Sequence, residues 1–325
     1  MMKFVRRGLP VRPLALLAVC IVALALADWD QGRFLSGATA FSTFEIFATI
    51  GPVALGLGLT MMIREFDLSV IGMFSMAGCI AVITGADNAW VGLALAVLAG
   101  VAGGVAQGLI IVRLRLGSVG VTLGGLLVFT GIASVLTENR SLAYDNMELA
   151  LALKTQLAVV FSIRSIVAVA LFAFAGLVMA LTRLGRDVIA IGSDRRAAMI
   201  AGVEVDRLIV AIFAFSSLCA ALSGVLLSYS LASASVTNVS VIIVPAAAAA
   251  ILGGVSLSGG TGRPLGIAIG VLTLAVLSTG FNAVGAPPFV NDVAMGGILL
   301  IVAVLDGPYL MRRVLELRHR RAASR

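Results

Sequence analysis

The sequence predicts an all-α fold, a polytopic membrane protein with about ten transmembrane segments, and three observations carry that prediction. The chain is 60% hydrophobic and 12% charged with a mean hydropathy of +1.12, too apolar for a water-soluble body of 325 residues. Its apolar residues fall in runs long enough to span a bilayer. Its basic residues collect in alternate connections, as the positive-inside rule demands of a chain that weaves across a membrane.

The elements follow in order. Lys3, Arg6, Arg7 and Arg12 precede a first span, Leu14 to Ala27, and set the N-terminus in the cytoplasm. Ala25-Leu26-Ala27 before Asp28 imitates a secretory cleavage site, so removal of residues 1–27 is the alternative to an uncleaved anchor. Phe44 to Ile63 is the second span, and Leu68 to Thr84, Ala89 to Val112 and Val119 to Leu136 are the next three. A polar connection outside, Thr137 to Arg164, leads to Ser165 to Thr182, and a polar connection inside, Arg183 to Arg207, leads to Leu208 to Ser230. Val241 to Leu252, Leu265 to Phe281 and Val293 to Leu305 complete the set. Several fall short of the roughly 20 helical residues a bilayer core requires, which leaves some segments open to being broken or re-entrant.

Alternating sides from a cytoplasmic N-terminus puts Arg64, Arg113, Arg115, Arg183, Arg186, Arg195, Arg196, Arg207, Arg263 and the tail from Arg312 inside. Only Arg33, Arg140, Lys154 and Arg164 fall outside, which fits an even span count and two cytoplasmic termini. The formal charge of +7 is therefore a topology and lipid-headgroup signal, with no nucleic-acid partner expected. Residues 1–325 read as one transmembrane domain, with residues 183–207 as a cytoplasmic loop within it. Cys20, Cys79 and Cys219 sit in apolar runs without CxxC spacing and read as small core residues, forming neither disulfide nor metal site.

Absences narrow the function. Apart from Glu45, no predicted span contains an ionisable residue, whereas proton- and sodium-coupled carriers place such groups in mid-membrane. An ion-coupled secondary carrier is the alternative this disfavours. The single histidine, His319, lies in the basic tail, so no histidine-based metal or acid-base site is expected within the membrane. Neither of the two lysines, Lys3 and Lys154, follows a glycine, so there is no GxxxxGK[ST] phosphate-binding loop. The chain is expected to bind no cofactor and to be no enzyme itself.

The most distinctive stretch is LGRDVIAIGSDRRAAMIAGVEV, Leu184 to Val205, a charged island between apolar runs. Ser193 suits an N-cap, Asp194 suits the positive end of a helix dipole, and Gly202 suits a left-handed terminator, so roughly two turns of helix are expected outside the bilayer. Elsewhere, Gly51-Pro52 and Pro245 look like paired interruptions of the second and eighth spans, each followed by a Gly-rich, Ser-containing turn. On that basis the pathway or gate candidates are Pro52, Gly58, Asp67, Ser69, Pro245, Gly253, Gly254, Ser256, Gly259, Gly260 and Asn282. Helix packing is the alternative for the glycines. Asp67, beside Arg64 and Glu65, can cap the third span or pair with Arg64, and the structural cap is expected in preference to contact with solute or partner.

The island resembles the coupling loop of the permease subunits of ribose-type (monosaccharide) ABC importers, through Gly185, Arg186, Ala190, Gly192, Ala197, Ala198 and Gly202, with Asp194 in place of the family's Asn. The resemblance extends through Asp67-Leu68-Ser69-Val70, the Thr-Leu-Gly segment in Val121 to Leu142, the turn carried by Gly253, Gly254, Ser256, Leu257, Gly259, Gly260 and Gly262, and the closing Ala303 to Asp306. It implies ATPase coupling through Arg186, Gly192, Ser193, Asp194, Ala197, Ala198 and Gly202. It further implies an ATP-binding cassette subunit that uses ATP and Mg, a periplasmic solute-binding protein, a second permease copy or paralogue, and a bacterial inner-membrane location. Gly117-Ser118-Val119 replaces a common Pro-Pro-Phe, Ile243 stands for a Glu, and Thr279-Gly280-Phe281-Asn282 for Asn-Gly-Leu-Asn. These departures leave the solute open, with branched-chain amino acids or nucleosides as the alternatives.

Overall fold

The structure, a computed structural model, describes residues 10–236 and 242–306. Lys3, Arg6, Arg7, Val241, the tail from Arg312 and His319 lie outside the described residues. In chain order the elements are α1 (Val11–Ala27), α2 (Gly37–Met62), α3 (Val70–Thr84), α4 (Ala89–Leu114), α5 (Ser118–Thr137), β1 (Leu142–Ala143), α6 (Met147–Lys154) and α7 (Ile163–Leu181). They continue with α8 (Arg183–Ser193), α9 (Arg195–Ile200), α10 (Val205–Ser230), β2 (Ser233–Ala234), α11 (Ile243–Leu252), α12 (Pro264–Ala283) and α13 (Pro288–Asp306). The all-α expectation holds, the two short strands apart.

Six helices among the described residues, α2, α4, α5, α7, α10 and α12, are long and apolar enough to cross a membrane on length and composition. α1, α3 and α11 are apolar but shorter, with 17, 15 and 10 residues. At about 1.5 Å per residue, α11 covers roughly half of a hydrocarbon core.

Short polar residues start the helices where an amide hydrogen needs a partner. Ser36 Oγ accepts from Thr39 N at 3.2 Å ahead of α2, and Asn88 Oδ1 accepts from Trp90 N at 2.9 Å ahead of α4. Ser162 and Ser165 form a reciprocal capping box at the start of α7. Pro264 opens α12, where its missing N–H costs nothing.

The two expected proline interruptions are corrected by the structure. α2 runs unbroken through Pro52, which is buried, and Pro245 sits in the first turn of α11, where amide hydrogens have no intrahelical partner anyway.

The core centres on α2, α10 and α12, which are mostly buried, while α4, α5 and α7 turn most of their surface outward. α4 meets α10 along a row of small residues four apart: Gly92, Ala96, Gly100, Gly104 and Gly108 are spaced for one helix face, and all are buried. A Cβ at Gly104 would lie 2.4 Å from Phe213 O, so only glycine lets the backbones come this close.

Contacts sort the helix ends into two groups. At one end the chain near residues 62–69 meets 118–122, 192–195 and 259–262. At the other end β1 pairs antiparallel with β2, Tyr144 stacks on Tyr229 at 4.7 Å, and Glu45 meets Arg164. The connections expected inside therefore share one end and those expected outside share the other.

Candidate functional site

At the first end three segments converge. α2 stops at Met62; Ile63 caps it, and Arg64 turns the chain in a left-handed conformation, φ 64°. Arg64 Nη2 donates to Ser193 O at 2.8 Å, placing a cation on the last carbonyls of α8, where the helix dipole is negative. The next residue also reaches this loop: Glu65 Oε1 accepts from Arg195 Nη1 at 3.0 Å. The end of α2 thus holds both sides of the bend between α8 and α9.

The third segment is the glycine turn after α11. Gly260 N donates to Met62 O at 2.9 Å, and Gly192 of α8 is wedged against the same bond. A Cβ at Gly192 would lie 1.9 Å from Met62 O and 2.4 Å from Gly260 N. Gly259 and Gly260 take φ of 76° and 73°, which a side chain rarely adopts, and a Cβ at Gly259 would meet Arg64 Cγ at 2.3 Å. Gly253 serves a different purpose: it brings α11 onto α12, where a Cβ would lie 2.5 Å from Gly266 O.

The charged island is two helices, α8 and α9, with the break at Asp194. The expected Ser193 cap is corrected: Ser193 is the last residue of α8 and its Oγ donates back to Ile189 O at 2.8 Å. Asp194 is the cap of α9. Its Oδ1 accepts from Arg196 N at 2.9 Å and Ala197 N at 3.0 Å, and these bonds hold its carboxyl below the usual carboxylate range, with Arg64 and Arg196 adding to the effect. Gly202 ends the unit at φ 84°, with Gly202 N donating to Met199 O and Val203 N to Ala198 O, both at 3.0 Å, the pair of bonds that closes a helix C-terminus in a Schellman turn. Ala198 is buried, while Arg186, Ala197, Met199 and Ile200 face outward. The short helix is pinned at its base and bare on its outer face.

Beside the junction Asp67 is fully buried. Its Oδ1 accepts from Ser69 N at 3.0 Å and from Ser69 Oγ at 2.5 Å, and its Oδ2 accepts from Ser216 Oγ at 2.8 Å on α10. Burial pushes this carboxyl up from its ordinary value, and the three donors oppose the shift. Asp67 is therefore a turn residue that ties α10 to the start of α3, and Arg64 is engaged with Ser193 instead.

The remaining gate candidates do not gather into one lining. Gly58 is buried, and a Cβ there would lie 2.5 Å from Ile267 Cδ1. Asn282 is exposed at the far end of α12, roughly 30 Å of helix from the glycine turn, whereas Ser256 and Pro245 are half-buried.

One polar cluster escaped the sequence reading. Arg164, only 4% exposed, donates through Nη1 to Glu45 Oε2 at 2.7 Å and through Nη2 to Thr49 Oγ1 at 2.7 Å, and Ser162 Oγ donates to Glu45 Oε1. It fastens α7 to α2 at the second end. The available signal was Glu45 itself, the lone acid in an apolar span, which needs a partner when buried.

A family model described as "Branched-chain amino acid transport system / permease component" matches residues 39–303. The L-arabinose transport system permease protein of Escherichia coli (strain K12) is 30% identical over 260 residues, covering 79% of this chain and 78% of that protein. The ribose import permease protein of Bacillus subtilis (strain 168) is 29% identical over 278 residues, 84% of this chain and 86% of its own. The autoinducer 2 import system permease protein of Photorhabdus luminescens is 27% identical over 312 residues, 94% and 92% of the two chains. No solved structure matches this chain.

Proposed function

This chain belongs to the permease-component family matched over residues 39–303, and from that premise we propose that it forms the passage of an ATP-driven, binding-protein-dependent importer for a monosaccharide or similar small neutral solute. The observation that carries the reading is the junction at Gly192: the α8–α9 unit, whose outer helix α9 faces outward, is held to α2 by Arg64 on Ser193 and Glu65 on Arg195, and Gly192 of α8 packs on the Met62–Gly260 bond that ties α2 to the α11–α12 turn. A soluble motor pressing on α9 would move membrane helices directly. The sugar assignment is supported by relatives named for L-arabinose and ribose, and by predicted spans whose only ionisable residue is Glu45, as suits an uncharged cargo.

The partners in this reading are an ATP-binding cassette subunit, which would use ATP and Mg, a periplasmic solute-binding protein, a second permease copy or paralogue, and surrounding lipid. The location is the bacterial inner membrane, with about ten transmembrane segments, some of them broken or re-entrant, and both termini cytoplasmic. Closure of the cassettes on ATP would displace α9 and, through Met62 and Gly260, favour one of two states open to opposite sides. The permease hydrolyses nothing itself.

Assembly tests this reading. The chain, co-expressed with a Walker-motif ATPase and reconstituted with its binding protein, is expected to show ATP hydrolysis that rises when the binding protein is loaded with L-arabinose or D-ribose. An ATPase that neither associates with the chain nor responds to loaded binding protein would overturn it.

A further inference from the structure

Where α1 stops, a cavity of about 190 Å³ is lined by Ala25, Asp28, Trp29, Gly32, Phe34 and Leu35. It lies at the end of the bundle that holds Glu45 and Arg164: Leu24 of α1 packs at Gly280 of α12, and Thr43 of α2 shares a hydrogen bond with Thr279 of the same helix. Asp28 is only 5% exposed, and among the described residues its carboxylate accepts one hydrogen bond, from Phe34 N to Oδ2 at 2.5 Å. It enters no ion pair with any of them. Oδ1 thus has no donor, yet it is not sealed from outside, and the cavity is where Asp28 meets the outside. A buried charge is normally held by an opposite charge or by several donors, and a single amide falls short of that.

The backbone sharpens the shortage. Asp28 caps the C-terminus of α1, where the helix dipole is negative and an acid is disfavoured. Leu24 O accepts from Asp28 N at 3.0 Å, but the carbonyls of Ala25, Leu26 and Ala27 accept no backbone amide among the described residues. One corner therefore gathers a carboxylate oxygen and open helix-end carbonyls, all of them acceptors. A primary ammonium brings the missing charge and three donors. Trp29, Phe34 and Leu35 make the rest of the wall, and aromatic rings attract an ammonium group. A hard metal ion, which wants about six oxygen ligands, suits such a wall poorly.

The mouth of the cavity belongs at a membrane surface. Trp29 is 80% exposed, Leu26 and Leu35 are exposed beside it, and tryptophan gathers at the headgroup level of a bilayer. Arg33 adjoins Gly32, is exposed, forms no ion pair among the described residues, and suits a phosphate. We propose that this cavity holds the ammonium of a phosphatidylethanolamine headgroup, with Asp28 Oδ1 and the last carbonyls of α1 accepting its hydrogens and Arg33 meeting the phosphate. The site depends on the chain's place in a membrane and not on what the chain transports.

Two measurements on the purified full-length chain test it. Delipidated protein in detergent is titrated with short-chain phosphatidylethanolamine, phosphatidylcholine or phosphatidylglycerol, and bound lipid is read by native mass spectrometry alongside thermal unfolding. Phosphatidylethanolamine is expected to bind about tenfold or more tighter than phosphatidylcholine, whose trimethylated head donates no hydrogen bond, and than phosphatidylglycerol, which has no cation. Asp28→Asn keeps an oxygen for Phe34 N and removes the charge, so it is expected to match wild type in stability without lipid and to lose the preference. A carboxylate that only shapes the turn predicts the same lipid response from variant and wild type, and that result overturns the proposal. Equal binding of the three lipids by wild type also overturns it, and this comparison decides alone if Asp28→Asn does not fold. Free O-phosphoethanolamine carries the same head without acyl chains and is expected to bind far more weakly than the lipid; equal binding would overturn the lipid as the source of the ammonium.

Discussion

Gly192→Ala separates steric coupling at the junction from simple helix termination at Gly202. Gly192 is helical, so alanine brings no backbone penalty there; the whole effect is the added methyl, 1.9 Å from Met62 O. To reach ordinary contact the neighbouring segment must retreat by about 1.5 Å, enough to carry the 2.9 Å bond from Gly260 N to Met62 O beyond hydrogen-bonding range. Leaving those two groups unpaired costs about 1–3 kcal/mol, and forcing an extra methyl into a packed site costs a further 1–3 kcal/mol or so. Gly202→Ala is the matched control: a Cβ there meets nothing within 4 Å, and only the left-handed φ of 84° is strained, at about 1–2 kcal/mol. Thermal unfolding of the purified protein and solute imported per ATP hydrolysed are the two readouts. Gly192→Ala is expected to lose stability by about 2–6 kcal/mol and to drop the transport-to-hydrolysis ratio well below that of Gly202→Ala. A Gly192→Ala protein as stable and as tightly coupled as wild type would refute the fastening of α8 to α2.

Further outcomes follow from other positions. Asp194→Asn keeps a side-chain acceptor for Arg196 N and Ala197 N and is expected to retain coupling, whereas Asp194→Ala loses it; hydrolysis without uptake in both, or in neither, contradicts the cap. Because the Asp194 carboxyl is held below its ordinary range, the stabilisation it gives by being ionised is complete above the ordinary carboxylate pKa and is lost only as pH falls through the lowered value, so coupling should not change between neutral pH and pH 5 through this residue. Removing one partner of the outer pair, Glu45→Leu or Arg164→Met, is expected to destabilise by about 3 kcal/mol, while the double replacement recovers most of the loss; additive losses in a thermal-unfolding cycle would show that the two do not act as a pair. In the cysteine-free background Gly58→Cys should stay inert to aqueous thiol reagents and Asn282→Cys should react, since the first is buried against Ile267 and the second is exposed; the reverse pattern would displace α2 from the core.

Hydropathy located the helices well because a run of apolar residues long enough to cross a bilayer needs no knowledge of its neighbours. Each of the ten predicted runs overlaps a helix, although α1, α3 and α11 are shorter than a full crossing. Local chemistry also made Gly202 legible, since a left-handed helix end depends on one residue and its own chain. Ser193 was misjudged by one position: serine and aspartate are both good caps, and only the break at Asp194 decides between them. Pro52 misled because proline removes a single hydrogen bond, which the packed surroundings of a buried helix tolerate. What the sequence left hidden is contact across long separations. Gly192 meets Met62 and Gly260, Arg164 meets Glu45, and the buried Gln107 amide packs against Gly125 without a hydrogen-bond partner, and no local pattern distinguishes these three cases.

Uptake in sealed vesicles holding the chain, its ATPase and its binding protein is the most direct test of the importer reading. Sugar accumulation is expected to require internal ATP and external binding protein, and to continue when a protonophore and a sodium ionophore have collapsed all ion gradients, as befits predicted spans with no ionisable residue except Glu45. Accumulation that proceeds without nucleotide and vanishes with the protonophore would contradict it and assign the chain to ion-coupled carriers.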